Sequence, residues 1–437
     1  MMRRVTFTKR YLQMSAQIIS SQKESVTIEV TIEIGNSMLK SEQAILEAVN
    51  DVGNLASQEA LKSFDTDGSP ILIGPDKWTS KGQELKAYQT PYGEIEIARH
   101  VYQSSKGGKT YCPLERYARI VVTSTPRFAQ MVSNKYANLA STQVQRDLAD
   151  NHGRRVARSY LQNLSEAVGS VALAKEEDWH YTTPQLNEPV KTVSIGVDGT
   201  CMLLCKEGYR EAMVGTISLY DNDGERQHTI QIGATPEYGK ATFWLRMERE
   251  IAQVKKIYPQ ATYVGIADGA KDNWSFLEQH TEKQTLDFYH ATGYLKSAAA
   301  AFPRSKAKRQ NGLDEKCHEL KHVSGAANKI LEELKTFQPK KLSTTIKDNL
   351  ESAITYFENH HPQMNYAESV EENMPIGSGV TEAACKTLVK QRLCQSGMKW
   401  IEKGAGIVLS LRSLVLSKGR WKPFWDKINQ YGLPLAA

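Results

Sequence analysis

The sequence predicts a mixed α/β fold, and three observations carry that prediction. Short β-like apolar runs recur between residues 190 and 290, separated by stretches whose apolar residues have helical spacing. A β-like alternation and a turn-punctuated hairpin lie upstream, and helix-patterned sequence fills residues 126–174. Acidic residues stand where two of the strand-like runs end and where a late helix begins.

A chain of 437 residues is expected to hold two to four domains, and an apolar content of 40% is enough to build their cores. No apolar run reaches the roughly 18 residues of a membrane-spanning helix, so no membrane partner is expected. The N-terminal stretch is basic but lacks a continuous apolar segment with a small-residue cleavage site, which argues against signal peptide and anchor alike. Six cysteines without a CxxC pair argue against a disulfide scaffold and for a reducing cytoplasm. The formal net charge of +6 is modest, so phosphate binding would depend on local basic patches.

Residues 1–85 read as a basic, mixed region. Within it Val26 to Ile34 alternates apolar and polar side chains, and a helix is expected from Ser41 to about Phe64. Residues 86–125 read as a small β region, with Pro91–Gly93 punctuating a hairpin. Residues 126–180 read as a helix-turn-helix domain. Ser141 or Thr142 would cap a first helix through Asp150, Asn151 to Gly153 would turn, and a second helix would start near Arg154. That helix carries Arg154, Arg155, Arg158, Tyr160 and Gln162, donors suited to phosphates and base edges in a major groove of double-stranded DNA. An ordinary helical hairpin with a solvated basic face has the same spacing.

Residues 190–295 alternate between strand and helix patterns. Strands are expected at Thr192–Val197, Glu211–Tyr220, Gln227–Gly233, Thr262–Ala267 and Leu286–Tyr289. Asp221 to Gly224 form a hairpin turn. Helices are expected at Ala241–Tyr258, with Phe243, Leu245, Met247, Ile251 and Val254 as its apolar stripe, and at Asn273–His280. This β-β-β-α-β-α-β order is that of a ribonuclease-H-like core. Residues 296–374 then read as a helical insertion, basic around PRSKAKRQNG. Residues 375–437 return to the core with GSGVTEAACK, where Gly377 and Gly379 permit a tight turn and Ser378 or Thr381 can cap a helix.

On these elements Asp198 falls on the first strand, Asp268 just beyond the fourth, and Glu382 in the first turn of the late helix. Oxygen ligands of this kind suit hard cations, and carboxylates from separate elements can converge on one point. An Asp-Gly pair at a strand end is also a common turn former, and a first-turn Glu is favoured by the helix dipole. The order and placement of all three together point to metal-dependent phosphodiester chemistry.

Four segments carry a family resemblance: VSIGVDGT, YVGIADGAKDNW, LDFYHATGYL with its D-x-x-H residues Asp287 and His290, and GSGVTEAACKTLVKQRLCQSGMKW. Through them the chain resembles DDE-type insertion-sequence transposases of the Kra-type branch allied to Mutator-like elements. The resemblance implies two Mg²⁺ ions, replaceable by Mn²⁺, held by Asp198, Asp268 and Glu382. It implies strand cleavage and strand transfer at an element's terminal repeats, by a homo-oligomer assembled on element and target DNA in a nucleoid-associated, cytoplasmic setting. A ribonuclease-H-like nuclease that cuts without joining, or a non-catalytic DNA-binding regulator derived from a transposase, are the alternatives. Some relatives have a cysteine pair in the β region, whereas here only Cys112 stands.

His290 would bond a scissile phosphate or a nearby carboxylate, or be a structural histidine at a strand end. Lys386, Lys390, Arg392, Lys399 and Trp400 follow Glu382, with Lys386 and Lys390 at helical spacing from it. They suggest a phosphate track and a base-stacking ring, or a solvated charged surface with a packed Trp. Cys317, His318 and His322, with His360 and His361, resemble a zinc half-site, a pattern more often accidental. Cys201 and Cys205 read as small core residues.

Overall fold

The computed structural model describes residues 16–176, 178–302, 305–337 and 343–432. Met1–Val171 with Trp425–Ala437 form one compact unit, and Ala172–Phe424 form the other. The molecule is mixed α/β with three separate sheets among the described residues. No described helix is long and apolar enough to cross a membrane.

In the first unit, β1 (Ala16–Ser21) and β2 (Val26–Val30) form an antiparallel ribbon against α1 (Met38–Lys62). Ser37 caps α1 by accepting from the Lys40 N–H. The strands β3 (Ile71–Ile73), β4 (Asp76–Gln89), β5 (Glu94–Ser104) and β6 (Thr110–Tyr111) make a four-stranded antiparallel sheet in that order. The boundary expected between residues 85 and 86 therefore cuts through β4. Polar sequence around Gly82 hides the strand because it is a bulge: pairing shifts between Ser80 and Gln83, and Gly82 takes φ +103°.

Helices follow: α2 (Pro113–Tyr117), α3 (Pro126–Asn138), α4 (Ser141–His152) and α5 (Arg158–Lys175). Gly153, at φ 64°, ends α4 in the left-handed conformation that glycine tolerates. The second helix begins at Arg158 rather than Arg154. Residues 154–157 stay irregular, with Arg154 and Val156 drawn inside at 6% and 7% exposure.

The second unit is built on a five-stranded sheet. Its strands are β7 (Thr192–Leu204), β8 (Gly208–Tyr220), β9 (Arg226–Ala234), β10 (Thr262–Ala267) and β11 (Lys283–Leu286). Their spatial order is β11-β10-β7-β8-β9. β7, β8 and β9 pair antiparallel, whereas β10 runs parallel to both β7 and β11. Thr192 to Val197 are all buried, as a central strand covered on both faces requires. Two glycines let helices approach closely. A β-carbon on Gly215 would strike Met247 of α6 (Ala241–Ile257), and one on Gly196 would strike the Thr381 hydroxyl. Gly215 pairs with Val197, the neighbour of Gly196, so these two contacts lie on opposite faces of the sheet.

On the α6 face, Phe243, Met247, Ile251 and Val254 are buried, but Leu245 is 54% exposed and does not belong to the expected stripe. α7 (Lys271–His280) covers β10. After β11 the chain leaves the sheet through α8 (Phe288–Ala298), α9 (Lys306–His322), α10 (Ala326–Thr336), α11 (Thr344–His360) and α12 (Tyr366–Glu371). The last strand thus ends at Leu286, not Tyr289, and the helical excursion starts earlier than residue 296. Asp287 is the reason: its carboxylate caps α8 by accepting from the His290 N–H. The chain returns as α13 (Gly379–Ala384), a π-helical stretch at Cys385–Lys390, α14 (Gln391–Leu393) and α15 (Glu402–Leu416).

Candidate active site

Asp198 lies within β7, and Asp268 follows the last residue of β10. Ile266 of β10 pairs with Gly196 of β7 in parallel, so continuing the register two residues brings Asp268 level with Asp198. Glu382 sits in the first turn of α13, whose Thr381 hydroxyl meets that of Thr216 on β8 at 2.8 Å. Thr216 pairs with Gly196, so the glycine seats the helix on β7 and β8 two residues from Asp198.

The electrostatics agree with this convergence. Burial raises the Asp198 carboxyl above its ordinary value, and the charges of Asp268 and Glu382 push it the same way. The Gly199 N–H, 2.7 Å from Oδ1, and the Cys385 thiol, 3.4 Å from Oδ2, act in the opposite direction without cancelling the rise. Asp198, Asp268 and Glu382 are each only half-buried, open enough to meet solvent ions. Two carboxylates at neighbouring strand ends and a third on the facing helix offer the oxygen ligands a divalent cation takes, although their oxygens do not all come within 4.8 Å of one another here.

Beside them lies a group the expected strand end would have misplaced. Asp287, His290 and Glu382 each offer a ligand atom within 4.8 Å of the other two, and among the described residues this is the one such cluster of His, Cys, Asp and Glu. Asp287 is fully buried. Burial would raise its carboxyl, but hydrogen bonds from Ser378 and His290 outweigh that and hold it below the ordinary carboxylate value. His290 is half-exposed, with Nδ1 3.0 Å from Asp287 Oδ1. It shares an open cleft with Tyr289, Tyr294 and Glu382.

Several contributors gave no readable signal in the sequence. Tyr356, far along the insertion, donates its hydroxyl to the Asp268 carbonyl at 2.8 Å. His360 stands beside Gly269, where φ is +116° and a β-carbon would come within 3.0 Å of Nε2. The buried Arg412 donates to the Leu388 and Thr387 carbonyls of the π-helical stretch, partners that its altered hydrogen-bond spacing leaves to a side chain. Burial and the neighbouring Arg392 lower the Arg412 guanidinium to about 10.

The expected DNA-contacting residues divide. Arg155, Arg158, Lys386, Lys390 and Lys399 are exposed. Arg154 is not a surface donor: its guanidinium bonds the Thr90 carbonyl at 3.2 Å and Gln89 Oε1 at 2.6 Å, and stands 5.3 Å from the Phe128 ring. Arg392 is 1% exposed and stands 5.3 Å from the Trp400 ring. Trp400 itself is fastened, with Nε1 donating to Leu393 O at 2.8 Å and its backbone bonded to Leu203 and Cys205 at the end of β7. The π-helical stretch also breaks the regular spacing expected to align Lys386 and Lys390 with Glu382. Cys201 and Cys205 are exposed rather than core residues. His318 and His322 are neighbours on α9 with their rings tilted, but Cys317, His318, His322, His360 and His361 do not form a metal-binding group. Asp272 lies in the first turn of α7, and Asp221 holds the β8–β9 turn, the turn as expected.

Neither protein-family models nor curated proteins match this chain.

Proposed function

We propose that the protein is a DDE-type transposase that cleaves DNA at the ends of an insertion sequence and transfers the freed strand. The observation that carries this reading is the placement of Asp198 on β7, of Asp268 level with it past the end of β10, and of Glu382 in the first turn of the helix seated over Gly196. The strand order β11-β10-β7-β8-β9, with its antiparallel trio and two parallel neighbours, supports a ribonuclease-H-like core. In that core the paired strand ends and a late helix supply the acids. The helices α8–α12 would then be an insertion between the second and third acids.

Asp198, Asp268 and Glu382 would hold Mg²⁺ or Mn²⁺. Bound there, such ions supply Lewis-acid stabilisation of the phosphodiester and a nucleophile at neutral pH. The chain's own residues prepare the site. Gly199 N–H and Cys385 orient the Asp198 carboxylate, Ser378 orients Glu382 through a 3.2 Å hydrogen bond, and Tyr356 anchors the loop that carries Asp268. Arg155 and Arg158 on one unit, and Lys386, Lys390 and Lys399 on the other, are the exposed cations proposed to meet DNA phosphates.

Incubation of the protein with Mg²⁺ and a DNA carrying the element's inverted ends tests the reading. Nicking at the ends, lost in Asp268→Asn, is the expected result, and no cleavage of any end-bearing DNA would refute it. Precut ends offered with target DNA separate a transposase, which joins them, from a nuclease that only cuts.

A further inference from the structure

Asp287 is fully buried, and its acceptor sites are all turned inward. Oδ1 accepts from the His290 N–H at 2.6 Å and from its Nδ1 at 3.0 Å, while Oδ2 accepts from the Ser378 N–H. Its own N–H donates to Ala267 O at 2.9 Å, extending the parallel β10–β11 pairing to the residue before Asp268. The next residue, Phe288, donates to Ile376 O at 3.0 Å. Ser378 then grips Glu382 twice: its carbonyl accepts the Glu382 N–H at 2.9 Å and its hydroxyl donates to Oε1 at 3.2 Å. Gly377 leaves room for this turn, since a β-carbon there would stand 3.5 Å from Asp287 Oδ2 and 3.2 Å from the Tyr289 ring.

A carboxylate so occupied has little capacity left for a cation, although it is close enough to join one. From these contacts we infer that Asp287 is a positioning residue: it holds the Ser378 turn, and through it places the Glu382 carboxylate opposite the sheet-borne acids. The same carboxylate fixes the His290 ring in the cleft shared with Glu382. This is the outer-layer arrangement that orients metal ligands without touching the metal. The inference rests on the proposed role of Glu382 as a cation ligand.

The test measures Mn²⁺ binding without DNA, from the electron paramagnetic resonance signal of free Mn²⁺, beside a melting curve for each variant. Glu382→Gln reports the ligand itself. Asp287→Asn removes one acceptor, and Ser378→Pro, at a φ of −78° that proline adopts, removes the turn's N–H and hydroxyl and sets its ring against the Asp287 carboxylate. Ser378→Ala, which keeps the N–H, isolates the hydroxyl. Leu331→Ala, in the core of the helical excursion, controls for lost stability.

Asp287→Asn and Ser378→Pro are expected to weaken Mn²⁺ binding about tenfold, the usual scale for outer-layer partners, and Ser378→Ala less. In end-cleavage assays kcat should fall with KM for DNA changed by no more than about twofold, the pattern of lost transition-state placement rather than lost substrate binding. Wild-type Mn²⁺ affinity in both Asp287→Asn and Ser378→Pro, with binding lost in Glu382→Gln, would overturn the inference and leave the role of Glu382 standing. Unchanged binding in Glu382→Gln would remove that role and the inference with it. Equal weakening in Leu331→Ala at a matched melting loss would reduce the effect to general destabilisation and also overturn it. Should Asp287→Asn fail to fold, Ser378→Pro decides alone.

Discussion

Asp198→Asn should stabilise the cation-free protein while abolishing its chemistry. In the folded state the Asp198 carboxyl is raised by burial and by the charges of Asp268 and Glu382. A raised acid binds its proton more tightly folded than unfolded. Its contribution is therefore fully present below the unfolded pKa and is lost as pH rises through the folded one. At neutral pH the wild-type chain carries that loss, and the neutral amide does not. Charge pairs open to solvent are worth about 0.2–1 kcal/mol each, so relieving two such repulsions is expected to gain about 0.5–1 kcal/mol. Asparagine keeps an acceptor for the Gly199 N–H and forfeits only the weak thiol contact from Cys385. For a protein unit of this size the gain corresponds to a melting temperature higher by about 1–4 °C. Calorimetry at pH 7.5 in chelator would read it, and the difference from wild type should shrink as pH falls and Asp198 protonates. With millimolar Mn²⁺ the order should reverse, since wild type gains binding energy that the variant cannot. A variant that melts at or below wild type in chelator at pH 7.5 would refute the reasoning, because burial and the neighbouring charges would then not disfavour the Asp198 carboxylate.

Asp268→Asn and Glu382→Gln should each eliminate end cleavage with DNA binding retained, and Mn²⁺ should replace Mg²⁺ where Ca²⁺ supports binding only; gel-resolved nicking checks all three. Arg155→Ala with Arg158→Ala should lower the salt dependence of end binding by about one to two counterions, read as the slope of log K against log salt. Arg154→Ala should instead cost about 2–3 kcal/mol of stability, measured by denaturant titration, because charged hydrogen bonds inside the first unit are lost. Gly196→Ala should lower stability by about 1–3 kcal/mol and cleavage with it, as the new methyl displaces Thr381 and the helix bearing Glu382.

The sequence revealed most where pattern and structure have one cause. The run Thr262–Ala267 is a strand to the residue because its apolar side chains are buried between two neighbours. α1 and α6 follow their periodicity to within a few residues. Pattern and structure part where a competing local interaction decides. Asp287 looks like a strand end until its cap on α8 is seen, and β7 runs on to Leu204 because β8 pairs with it far past Asp198. Nor does a basic residue announce its surroundings: Arg154, Arg155 and Arg158 share one sequence pattern, yet Arg154 turns inward to Thr90 and Gln89. β1 carries no strand pattern of its own, with Ile18 and Ile19 side by side and two Ser at its end, and is held by its pairing with β2. The basic tract Arg304–Arg309, an appealing DNA contact in a multimer, lies partly outside the described residues, and its described part opens α9.

The long separation of Glu382 from Asp268 is a smaller obstacle than its 114 positions suggest. Closing a flexible excursion costs only about 0.6 kcal/mol for each doubling of length. What matters is where its two ends are held, and here they are held together. Lys283, on β11, bonds both oxygens of Glu372 at 2.9 Å, and Lys191, just before β7, reaches the Glu372 carbonyl at 2.9 Å. Met374 is buried with Val264 and Ile266 of β10, and Phe288 meets Ile376 across the start of α8. Asp287 then clamps Ser378, and Thr216 receives Thr381 over Gly196. A buried hydrogen bond contributes about 0.5–1.5 kcal/mol net, so two or three such clamps exceed the extra closure cost of the excursion. The middle of the excursion can therefore vary in length without moving Glu382, provided the start of α8 and the residues from Glu372 to Thr381 keep their partners. The placement of the third acid is thus a property of the sheet, the start of α8 and the returning strap, not of the middle of the excursion.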